Sequence, residues 1–145
     1  MSKSYKEKVS EKKSKSDEGS GQGHLDVRFN SEDDTKRFDV SRVEYRSGRY
    51  IVDFAMFEGG DGTPNRFIEV AVNENFFSQR IEFPNASRAD FLFQSATEEW
   101  RPAKGWVRAE WNPASKTLEG LLGDVESDRP ENTKLTWGKF QVIFN

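Results

Sequence analysis

The stretch GWVRAEWNPASKTLEGLL, residues 105–122, decides the fold class. Val107, Ala109 and Trp111 alternate with Trp106, Arg108 and Glu110, the period of a strand with one face buried. NPASK at 112–116 is a reverse-turn signal, with a proline that presets φ and an asparagine that closes local hydrogen bonds. The chain returns through Thr117 to Leu122, so the two runs pair antiparallel.

The same grammar extends in both directions. Leu25, Val27 and Phe29 alternate with His24, Asp26 and Arg28. Phe38 and Val40 share one parity and Val43 and Tyr45 the other, which predicts a bulge around Ser41–Arg42. Ser47-Gly48 is a hairpin turn leading into RYIVDFAMF (49–57), a run apolar on both parities that only Asp53 interrupts. Such a run suits a central strand covered on both sides, or one whose second face lines a cleft. EGGDGTP (58–64) reads as a loop. Further strands are expected at 66–72, 79–83, 89–94 and 134–144, with a helical turn within 95–104 and a glycine kink at Gly123 before Val125.

No strand is followed by the long helix that a parallel crossover needs. The expected fold is therefore all-β, an antiparallel β-sandwich of about eight or nine strands, with a closed or partly open antiparallel barrel as the alternative. Residues 24–145 form this single domain, and 1–23 a disordered N-terminal tail too poor in apolar groups to offset the entropy of ordering.

Charge is unevenly spread. The first eighteen residues carry six lysines against four carboxylates, a net of +2, so with a total of −3 the rest carries −5. A phosphate-binding surface on the domain is not expected from that balance. No run approaches the length of a membrane span, and the lysines of the N-terminus precede no apolar signal core, so a cytoplasmic location is the expectation. With no cysteine, disulfides and thiolate chemistry are excluded.

Few residues suit chemistry at neutral pH. His24 is the only histidine and has no companion for a metal or a catalytic triad. Asp53 lies among apolar neighbours and is expected to pair with Arg42, Arg66 or Arg80; with Glu69 or Glu82 it would instead offer the two carboxylates of a glycoside hydrolase. The acidic sets at 32–34, 61 and 124–128 lack calcium-loop spacing, and GGDG at 59–62 lacks the residues of a phosphate loop.

The tryptophans carry more. Trp106 is out of phase with the inward positions of its strand, and Trp137 with Phe140, Val142 and Phe144. Together with Arg108, and with Trp100 in the preceding segment, they form the expected binding patch, since indoles and guanidinium groups dominate recognition hot spots. The functional expectation is a non-catalytic interaction domain without cofactor or metal, whose partner is another protein or a carbohydrate, with self-association possible. The alternatives are a carboxylate-based glycoside hydrolase or carbohydrate-binding module, and a barrel carrying a small apolar ligand.

Overall fold

The computed structural model describes residues 21–57 and 65–144. Its strands are β1 (Gly21–Phe29), β2 (Lys36–Arg46), β3 (Arg49–Met56), β4 (Arg66–Asn73), β5 (Ile81–Glu82), β6 (Ala89–Ser95), β7 (Glu99–Trp100), β8 (Lys104–Asn112), β9 (Thr117–Glu126) and β10 (Leu135–Phe144). They form one antiparallel sheet in the order β5-β8-β9-β10-β1-β2-β3-β4-β6-β7, curled into a half-barrel. The all-β antiparallel fold expected from the alternation is thus present, in its partly open form. Opposed walls of the curl face each other as the two sheets of a sandwich do.

Local chemistry accounts for the joints. Ser47 and Gly48 both take positive φ, 53° and 81°, the pair of left-handed conformations that a two-residue hairpin between β2 and β3 requires. The expected bulge lies between Val40 and Arg42. Gly105, at φ 116°, and Asp124, at φ 50°, shift the β8–β9 register between Lys104 and Trp106, which places the irregularity beside Gly123.

Two expectations are corrected. β1 begins at Gly21, so residues 21–23, assigned above to the tail, are strand, paired with Val142 to Phe144. Residues 1–20 and the loop at 58–64 lie outside the described residues. The segment 95–104 holds no helical turn; Ser95 and Glu98 form a tight turn that brings β7 back onto β6. The one short helix among the described residues is a 3₁₀ turn at Glu74–Phe76, capped by the Asn73 side chain.

After that turn the chain crosses to the far edge of the sheet. Ser78 N–H donates to Ala109 and Phe83 N–H to Gly105, both at 2.8 Å, so β5 covers the edge of β8 before the chain returns to β6 beside β4. This excursion spans the seam that the curl leaves open, where Phe83 meets Phe91 at 6.3 Å between centroids. Inside, rings from opposite walls interlock: Phe54 with Phe140 at 6.0 Å and Phe29 with Phe93 at 5.9 Å. Among the described residues the inner face is lined by packed aromatic and aliphatic side chains.

Candidate binding face

On β8, β9 and β10 the inward positions are filled by Val107 and Ala109, Leu118 and Leu122, and Phe140 and Val142. The pleat therefore turns the alternate residues to the convex outer surface, and the register lines them up in four rows across the strands. Trp106, Gly123 and Trp137 make the first row; Arg108, Leu121 and Lys139 the second. Glu110, Glu119 and Gln141 make the third; Asn112, Thr117 and Ile143 the fourth.

The first row is shaped by its glycine. A Cβ on Gly123 would lie 2.4 Å from Cε2 and Nε1 of Trp106, so the indole occupies the space that any side chain there would fill. Arg80 covers the same indole, its guanidinium carbon 4.6 Å from the ring centroid, while its Nε donates to Glu82 at 2.7 Å. Trp137 flanks Gly123 on the other side, about 10 Å from the β8 strand by strand spacing. Trp137, Leu121 and Ile143, all on this face, are each 40% exposed.

The second and third rows are charged. Arg108 reaches Glu110 at 3.5 Å, and Gln141 donates to Glu119 at 3.4 Å. Glu110 and Glu119 stand directly opposite each other, a like-charge cross-strand pair. A depression of about 310 Å³ lies between these rows, lined by Arg108, Glu119, Leu121 and Lys139. Another of about 490 Å³ adjoins it at Glu110 and continues to Trp111 and Asn112.

Three of the four residues expected to form the patch, Trp106, Arg108 and Trp137, are thus brought to one face. Trp100 is not. It is buried on β7, stacked on Phe93 at 5.4 Å, with its indole N–H donated to Glu98 at 3.1 Å. Alternation could not place it, because β7 is two residues long and shows no period.

The ion pair expected of Asp53 is present. Asp53, fully buried, pairs with Arg42 at 3.3 Å, one of the three arginines expected. Arg42 also bonds Glu44, which accepts from Arg46. Glu69 does stand opposite Asp53 on β4, whereas Glu82 lies on β5, at the other end of the sheet order. Among the described residues, no three His, Cys, Asp or Glu side chains converge as a metal site requires, and no helix is long and apolar enough to cross a membrane.

One feature escaped sequence reasoning. At one rim of the half-barrel Tyr50 is the hub of an aromatic cluster, with Trp111 at 4.7 Å, Tyr45 at 4.8 Å, Phe144 at 5.3 Å and Phe77 at 5.4 Å. Its members come from strand ends and a turn, and only the curl of the sheet gathers them. Tyr45 donates to Glu74, and that bond raises the Tyr45 pKa; burial raises that of Tyr50. Comparisons with protein-family models, curated proteins and solved structures yield no match to this chain.

Proposed function

We propose that this chain is a non-catalytic interaction module that binds a protein partner through the outer face of β8, β9 and β10. The observation that carries the reading is the first row of that face. Trp106, half-buried, is seated on Gly123 and covered by Arg80, while Trp137 flanks the same glycine and is exposed, as is Leu121 beside it. Indoles fixed in place lose little conformational entropy on contact and bury a large apolar area, the behaviour of recognition anchors. Arg108 and Lys139 border them and supply polar contacts at the rim of an interface.

The test is a paired measurement on Trp106→Ala. Affinity for a protein captured by crosslinking on this face is expected to fall by at least about 2 kcal/mol, with the unfolding free energy changing much less. Affinity per folded molecule left intact would return Trp106 to a purely structural role.

A further inference from the structure

The sheet has a second outward face, on β3, β4 and β6, and it differs from the first in accessibility. Val52 and Phe54, Ile68 and Val70, and Phe91 and Phe93 point into the core, so the alternate residues point outward. Register sets Ala55, Phe67 and Gln94 in one row, Asp53, Glu69 and Leu92 in the next, and Ile51, Ala71 and Asp90 in a third. Phe67 and Asp53 are fully buried, and Ala55, Ala71 and Gln94 are buried too. The outward Leu121, Trp137 and Ile143 of the other face are each 40% exposed. Among the described residues no strand or helix is stacked over the buried rows.

We infer that this face is the docking site of the chain's own N-terminal segment, residues 1–20. Reach permits it. Gly21 abuts Val43 of β2, since a Cβ on that glycine would lie 2.6 Å from the valine side chain, and Val43 pairs with Val52 of β3. The chain thus enters the sheet level with the buried rows, about 10 Å from β3 and about 14 Å from β4 by strand spacing. Twenty residues span several times that distance.

Chemistry selects the occupant. The segment carries six lysines against four carboxylates. Across the rows lie Asp53, Glu69, Asp90, Glu44 and Glu99, with Arg42 shared between Asp53 and Glu44, Arg46 on Glu44 and Arg101 on Asp90. Met1, Tyr5 and Val9 recur at every fourth residue, the spacing that lines one side of a helix. Ala55 and Ala71 have little bulk and leave room beside Phe67 for incoming side chains. Alone, the segment is too poor in apolar groups to order; a preformed apolar face supplies the missing contacts. The loop at 58–64, which joins β3 to β4, has no large apolar side chain and brings Glu58 and Asp61 to a face already rich in carboxylates. Cover from the N-terminal segment also accounts for the apolar outward parity of the run at 49–57, in Ile51 and Ala55.

The chain has no cysteine, so Ser10→Cys accepts a single nitroxide in the full chain. β3 and β9 each lie two strands from β1, so an undocked segment would bleach both alike. Amide signals of Ala55, Phe67 and Ala71 are expected to lose at least half their intensity, and those of Arg108 and Leu121 to keep theirs. Tyr5→Asp/Val9→Asp should restore the lost intensity. In a second measurement, the thiol of Ala71→Cys is expected to react with Ellman's reagent at least tenfold more slowly than that of Leu121→Cys. The paired Asp substitutions should abolish that protection.

Bleaching equal on β3 and β9, or centred on β9, overturns the inference. So does bleaching that appears only between a nitroxide-bearing chain and a separate isotope-labelled chain, which would place the segment on another copy. Protection of Ala71→Cys that survives Tyr5→Asp/Val9→Asp also overturns it and assigns the cover to residues 58–64.

Discussion

Trp106 rests on Gly123: the glycine leaves out a side chain, and the indole fills the place where its Cβ would stand. Register decides that contact, because β8 and β9 put the two residues directly opposite and the bulge at Gly105 keeps them so. Gly123→Ala is expected to lift the indole off the sheet. Its emission should shift toward that of a solvated tryptophan, at a stability cost of about 1 to 3 kcal/mol from overpacking. An unchanged spectrum would mean that the ring does not rest on the glycine.

Trp100 and Trp106 should separate cleanly by substitution. Trp100→Ala removes a buried ring stacked in the core and is expected to cost about 3 to 5 kcal/mol of unfolding free energy. Trp106→Ala should cost far less and act on binding. Denaturant titrations of the two variants in parallel provide the comparison.

Phe54 is fully buried and meets Phe140 across the half-barrel. Truncation to Ala is expected to cost about 3 to 5 kcal/mol. A midpoint unchanged from wild type would show that the opposed walls are not held together through this ring.

Arg42 lies between Asp53 and Glu44 with its side chain only 9% exposed. Arg42→Leu removes the guanidinium that the buried Asp53 and Glu44 share, an expected loss of about 3 to 5 kcal/mol. Adding Asp53→Asn to the Arg42→Leu variant should recover part of it, as a double-mutant cycle would measure.

Acid should destabilise the domain through identifiable groups. The guanidinium of Arg37 holds Asp26 below its ordinary pKa of 3.8, and that of Arg66 holds Glu32 below 4.5. A carboxyl depressed on folding stabilises fully above its unfolded pKa, and that contribution is lost as pH falls through the folded value. The window therefore opens near 4.5 for Glu32 and 3.8 for Asp26 and extends downward. Asp26→Asn should flatten the lower part of an acid unfolding curve; a curve of unchanged slope there would exclude this ion pair as a contributor.

Much of this was written in local chemistry. The alternation through Val107, Ala109 and Trp111 and the turn at 112–116 determine an antiparallel pair, and the phase of Trp106 and Trp137 determines that both indoles point outward. The change of parity in β2 placed the bulge, and Ser47-Gly48 placed the hairpin. A period of two states which face a residue occupies but not what lies across or beside it. Only the pairing of β8 and β10 on either side of β9 made Trp106 and Trp137 neighbours of one glycine, and only the order of strands set a cationic row beside an acidic one. The burial of Trp100 was not legible because a two-residue strand carries no period, and the cluster around Tyr50 formed because curling the sheet draws distant strand ends to one rim. These are long-range contacts, fixed by which strands bury their apolar faces together.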